Sequence, residues 1–170
     1  MSSDDRRLLL SEMERRFIPF LIQQGFVQHG LTSSEQGSSE LLLAFPLGYL
    51  KRPRGDSLEL IEVQFDKNGR ARFVINVGVV PPEGVTLPWG HFTQNDVRAS
   101  GLPESYRLYS RRGSMTWFST GWYPFSAELR AAKTVDRAID LYDEVNLWFS
   151  AQTVGPHLRR LGVPHAAAPT

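Results

Sequence analysis

The sequence predicts an α+β protein: a single antiparallel sheet with N- and C-terminal helices packed on one face. Three observations lead there. Apolar residues recur at helical spacing near the start of the chain and again after Ser126. Between those stretches lie short runs, bounded by Gly and Pro, that fit the period of strands. No internal repeat interrupts the helix, strands, helix order.

From Asp4 to Gln24, the residues Leu9, Met13, Phe17, Phe20 and Leu21 form one apolar stripe, with Glu12, Arg15 and Arg16 opposite. Asp4 and Asp5 suit the positive N-terminal end of such a helix, and Gly25 suits its stop. Pro19 has no amide to donate, which predicts a kink or an early end. Gly30 to Ser39 has no periodicity and reads as a loop or wide hairpin turn. Strands are predicted at Glu40 to Leu50, Leu58 to Asp66 and Ala71 to Val80, with Pro46 pushing the first toward a sheet edge or a bulge.

Register can be argued for the last two. A two-residue Asn68-Gly69 loop sets Lys67 opposite Arg70 and mixes polar with apolar side chains on each face. A three-residue loop with Gly69 in the left-handed conformation sets Asp66 opposite Arg70. Ile61, Val63 and Phe65 then share an apolar face with Ala71, Phe73 and Ile75, leaving Glu62, Gln64, Arg72 and Val74 on a wetter one. A slip of one residue reverses every side chain, so burial selects the second register.

Pro81-Pro82 ends the strand, and Glu83 to Glu104 shows no clean period, a long connection expected to be pinned by Trp89, His91 and Phe92 with a helical turn near Asn95 to Ala99. Tyr106 to Tyr109 and Ser114 to Ser119 read as strands around a turn at Arg111-Arg112-Gly113. Ser126 can cap a helical segment that runs through a break near Thr134 to about Gln152. His157 to Arg160 reads as a basic turn. Residues 1–162 are expected to form one domain, and 163–170 a disordered tail with little to bury.

Composition narrows function by exclusion. A chain of 170 residues with 41% apolar content suits one domain with its own core. The absence of Cys excludes disulfides, thiolate metal sites and a cysteine nucleophile. A net charge of +1 argues against nucleic acid as partner. No apolar run reaches the length of a membrane span and the start has no secretory leader, so a cytoplasmic protein is expected.

No arrangement of His29, His91, His157 and His165 has metal-ligand spacing, and neither a nucleophile elbow nor a phosphate-binding glycine loop occurs. Accordingly no catalytic residue, metal or cofactor is assigned. Asp136, Asp140 and Asp143 fall on one helix face, close enough to perturb one another's ionisation as a candidate for proton chemistry, though a solvated stripe offset by Arg137 is the favoured reading. Glu62 is a second candidate, which Arg72 could simply pair with. Arg52 and Arg54, with Lys51, and the pair Arg111 and Arg112 mark two turns expected to converge at one sheet end as an anion-binding cluster. Aromatics are dense from Trp117 to Phe125. Most are expected in the core, but Trp89, His91, Trp122 and Tyr123 are the candidates for contact with a partner.

Val63 to Gly84 carries further information. Gly25-Phe26 after a helix, Gln64 in a strand, and Phe73, Ile75, Asn76, Val77 and Gly78 in the next strand resemble the signature of an uncharacterised bacterial domain-of-unknown-function family. Its pattern is a helix, a Gln-bearing strand, an F-x-(I/V)-N-(L/V)-G strand and a C-terminal helix; Tyr106-Arg107-Leu108 and Trp117 fit its later positions loosely, and residues 87–101 have no counterpart in it. The resemblance implies no activity, cofactor or catalytic residue. It implies a binding or immunity-type protein that holds a partner.

The leading expectation is therefore a non-catalytic module that binds a protein partner. The alternative is an enzyme acting on a small anionic substrate held by Arg52, Arg54, Arg111 or Arg112, with Glu62, His91 or Asp140 moving protons. Nucleic-acid binding ranks third, and an uncovered sheet edge would also let two copies pair.

Overall fold

The computed structural model describes residues 3–122 and 124–161, and the tail expected at 163–170 lies outside them. Helix α1 (Ser3–Glu12) continues through a wider π turn, Met13–Phe17, into α2 (Ile18–Gln23). Pro19 accounts for the irregularity. Its missing amide leaves the preceding turn without an ordinary bond, and Ile18 instead donates one residue further back, to the Met13 carbonyl. The helix therefore continues past the proline and buries Leu9, Met13, Phe17, Ile18 and Leu21.

The segment predicted as a loop and then a strand folds differently. After β1 (Val27–His29) come two short helices, α3 (Ser33–Gln36) and α4 (Ser39–Ala44). Reciprocal bonds between Thr32 and Glu35 open α3, and the Ser38 hydroxyl accepts the Leu41 amide at the start of α4. The apolar run Leu41 to Leu43 suggested a strand, but this cap and the chain reversal around Pro46 hold it as a helix.

Six more strands complete the main sheet. They are β2 (Tyr49–Arg54), β3 (Ser57–Phe65), β4 (Arg72–Val80), β7 (Ser105–Leu108), β8 (Phe118–Ser119) and β9 (Leu158–Arg160), while β5 (Val85–Leu87) and β6 (Gly90–Phe92) form a separate ribbon. The sheet order is β1-β2-β3-β4-β7-β9, with β8 also on β4, and the pairings are antiparallel. The predicted basic turn at His157 to Arg160 is thus an edge strand for most of its length.

In the β3–β4 hairpin Phe65 faces Phe73 and Val63 faces Ile75, a register two residues away from the predicted one. The loop takes in Lys67 to Ala71. Asp66 organises it, accepting the Asn68 amide on Oδ1 at 2.7 Å while its carbonyl accepts the Gly69 amide at 3.2 Å. Gly69 is left-handed, as expected. A shift of two keeps every side chain on its predicted face, so the apolar face is as read.

Against that face pack α1, α2, α5 (Ala127–Asp140) and α6 (Tyr142–Ala151), in one core with Ile61, Val63, Phe65, Phe73, Ile75 and Val77. Ser126 caps α5 through the Leu129 amide. The break falls at Leu141 and not near Thr134, because Thr134 turns its hydroxyl back onto the Arg130 carbonyl and stays helical. Asp143 therefore sits on a different helix from Asp136 and Asp140.

The second sheet face is not wet either. Leu60 and Val80 are covered by Val97, Ala99 and Leu102 from the long connection, which includes a 3₁₀ turn at Ala99–Gly101. Gly78 permits that cover: a Cβ there would lie 2.4 Å from Leu102 Cδ1. Phe92 helps hold the connection down, whereas Trp89 and His91 are exposed, which corrects the expectation that all three pin it. Among the described residues no helix is long and apolar enough to cross a membrane.

Candidate functional site

The predicted site residues fall in separate places. Trp89 tops the β5–β6 ribbon and His91 follows, its Nδ1 3.0 Å from the Thr86 hydroxyl. Trp122 lies just after β8. The ribbon follows the C-terminal end of β4 and β8 pairs with its N-terminal end, residues 80 and 72, roughly 26 Å apart in an extended strand. Trp89 and Trp122 do not share a pocket. Tyr123 lies outside the described residues.

The arginine clusters do not converge. Arg52 and Arg54 stand at the end of β2, whereas Arg111 and Arg112 follow the C-terminus of β7, at the opposite end of the antiparallel sheet. Both members of the first cluster are engaged internally. Arg52 Nε donates to Glu59 Oε2 at 2.5 Å and its guanidinium lies 4.4 Å from the centre of the Phe26 ring. Arg54 donates to Glu59 Oε1 at 3.0 Å and to the Phe149 carbonyl, closing the end of α6. Glu59 has no exposed surface, so the two arginines neutralise a buried carboxylate.

Glu62 does not meet Arg72, which pairs with Asp66. It is buried under the 3₁₀ turn, where Oε2 receives the Ser100 amide at 3.4 Å and the Asn76 amide at 3.5 Å while Oε1 has no partner. Burial pushes its carboxyl above the usual range, outweighing those hydrogen bonds. Asn76 also donates to Gln64 Oε1 at 3.0 Å and accepts from Arg107 Nε at 2.7 Å. The strand asparagine thus organises a polar cluster between sheet and cover.

A cleft of about 520 Å³ opens between α5 and the stretch from Ser110 to Gly121. Arg130, Lys133, Thr134 and Arg137 line one wall at helical spacing. Arg111, Thr116, Trp117, Phe118 and Ser119 come from the other, and Phe125 closes one side. Among the described residues, no carboxylate and no imidazole lines it.

Within the cleft Arg130 is structural, held by Asp5 at 2.8 Å and the Phe125 carbonyl at 2.8 Å. Lys133 rests its ammonium 3.9 Å from the centre of the Phe125 ring. Arg137 reaches the Ser110 carbonyl and lies 3.3 Å from His157 Nε2; that imidazole meets Glu144 through Nδ1 at 2.5 Å. Among the described residues, Arg111, Lys133 and Arg137 have no carboxylate partner. Arg112 is exposed but is not part of the lining.

The loops that bound the cleft expose large apolar side chains. Trp122 is 93% exposed and Met115 73%, with Phe125 at 41%. Of the sequence-predicted residues that are described, Arg111 lines the cleft and Trp122 follows its lining residue Gly121. Lys133, Arg137 and Met115 were missed, although Arg130, Lys133 and Arg137 form a basic stripe readable at the 3.6-residue period.

Comparison with protein-family models, with curated proteins and with solved structures finds no match for this chain.

Proposed function

We propose that this protein is a non-catalytic module that binds a protein partner at the cleft between α5 and β8. The observation that carries the reading is Trp122, 93% exposed beside a cationic cleft, with Met115 exposed on the neighbouring loop. An exposed Trp next to arginines has the composition of an interface anchor, since it brings a large apolar area with little rotamer entropy. Isolated exposed apolar residues are ordinary on protein surfaces. Here Phe125 lines the cavity, and exposed Met115 and Trp122 adjoin its lining residues Thr116 and Gly121 in the chain.

The groups an anionic-substrate enzyme would need are dispersed, which favours binding over catalysis. Glu62 is sealed under the 3₁₀ turn, His91 is on the distant ribbon, and Asp140 ends α5 outside the cleft lining. The immunity-type role implied by the sequence resemblance fits a binding module of this kind.

Affinity capture of the tagged protein from its native extract at moderate and high salt tests the proposal. A stoichiometric protein that is retained by the parent and lost with Trp122→Ala is the expected result. Retention unchanged by Trp122→Ala, or recovery of nucleic acid alone, overturns it.

A further inference from the structure

We infer that the cleft receives an extended acidic segment of the partner, with two carboxylates two residues apart seated on Lys133 and Arg137. This rests on the protein-binding reading above and adds the chemistry of what is bound.

Charge gives the first argument. Among the described residues, Arg111, Lys133 and Arg137 converge on one cavity whose lining holds no carboxylate, whereas Arg52 and Arg54 are paired on Glu59 and Arg98 on Glu35. A concave site lined by one sign of charge focuses its field and favours an anion there.

Spacing gives the second. Lys133 and Arg137 are one helical turn apart, about 6 Å along the axis of α5. Alternate residues of an extended chain are about 6.7 Å apart and point to the same side. A Glu-x-Glu segment lying along α5 therefore matches both cations at once, with Arg111 on the facing wall.

The lining is also mixed. Trp117 and Phe125 place aromatic surface beside the cations, so an apolar residue adjacent to the acidic pair gains burial in the same cavity. Trp122 and Met115, exposed, follow and precede the lining residues Gly121 and Thr116 in the chain.

The test is fluorescence anisotropy with a labelled peptide carrying Glu-Phe-Glu between Gly-Ser flanks, against the same peptide with Gln-Phe-Gln. The acidic peptide is expected to bind at least about tenfold more tightly, and to lose affinity as salt rises. Lys133→Glu with Arg137→Glu should abolish its binding and confer binding of a Lys-Phe-Lys peptide. Lys133→Gln with Arg111→Gln, which alters no Ser110 or His157 contact, should weaken it at least about fivefold and guards against misfolding of the reversal.

Equal binding of the Gln peptide, no binding of either, or preference for a phosphorylated peptide or single-stranded DNA would overturn the inference. The two levels separate cleanly. Failure of the acidic peptide, with the native partner still lost in Trp122→Ala, removes the acidic segment and leaves the protein-binding reading in place.

Discussion

Arg72 Nε donates to Asp66 Oδ2 at 2.5 Å, joining the two residues that bracket the β3–β4 loop. The same carboxylate receives the Asn68 amide on its other oxygen, so one side chain both shapes the loop and fixes its ends. Burial alone would raise the Asp66 carboxyl, but the Asn68 amide and the Arg72 guanidinium outweigh it and hold the group below its usual range. A depressed carboxyl contributes stability above its unfolded value, about pH 4, and loses it as pH falls through the lower folded value. Asp66→Asn keeps an acceptor for Asn68 and removes the charge. It should cost about 1 to 2 kcal/mol in urea unfolding at pH 7, and the gap to the parent should narrow as the pH is lowered below 4.

This pair also shows how far the sequence could be read. Alternation of apolar residues specified which side chains face the helices, because parity depends only on even shifts. The choice between two registers of equal parity depends on the loop, and there Asp66 with Arg72 selected the longer one over the bulged turn expected from Asn68-Gly69. Likewise the Leu41 to Leu43 run has the composition of strand or helix, and the cap at Ser38 decided it.

Glu62 behaves in the opposite sense. Its folded value is raised by burial, so its contribution is fully present below the unfolded value and is lost as pH rises through the folded one. Glu62→Gln keeps an acceptor for Ser100 and Asn76 and has no charge to desolvate. At pH 8 the variant should be more stable than the parent by about 1 to 2 kcal/mol. At pH 4 the difference should disappear, and calorimetry at the two pH values measures it. A parent at least as stable as the variant at pH 8 would show that the buried carboxylate is compensated.

The cleft was less legible than the fold. Arginine clusters adjacent in sequence drew attention to Arg52 and Arg54, yet the carboxylate that engages them, Glu59, sits on the next strand and faces them across the register. The cations that line the cavity come instead from α5 and the loop after β7, which are brought together only when β8 docks on β4. Local charge density therefore marks Arg111 but misplaces Arg52 and Arg54, and helical spacing marks the cations of α5.

Gly78 lies against Leu102, and this contact fits the long connection onto the second sheet face. Gly78→Ala should destabilise by about 1 to 3 kcal/mol through overpacking. Leu102→Ala should cost about 2 to 4 kcal/mol by opening a cavity, and the double variant should cost less than the sum of the two. Strict additivity in denaturant unfolding would mean that the added methyl is absorbed elsewhere.

Two tryptophans separate interface from core. Trp148 is 3% exposed and packs with Phe149 and Tyr106, at ring-centre distances of 5.2 and 5.1 Å. Trp148→Ala should cost about 3 to 5 kcal/mol, enough to threaten folding. Trp122, at 93% exposure, supports no such burden, and Trp122→Ala should change unfolding free energy by less than about 0.5 kcal/mol. Its effect should appear only in partner capture, where loss of an interface anchor costs 2 kcal/mol or more, roughly thirtyfold in affinity. A Trp122→Ala protein that unfolds early would place the indole in the fold's own packing and remove it from the proposed interface.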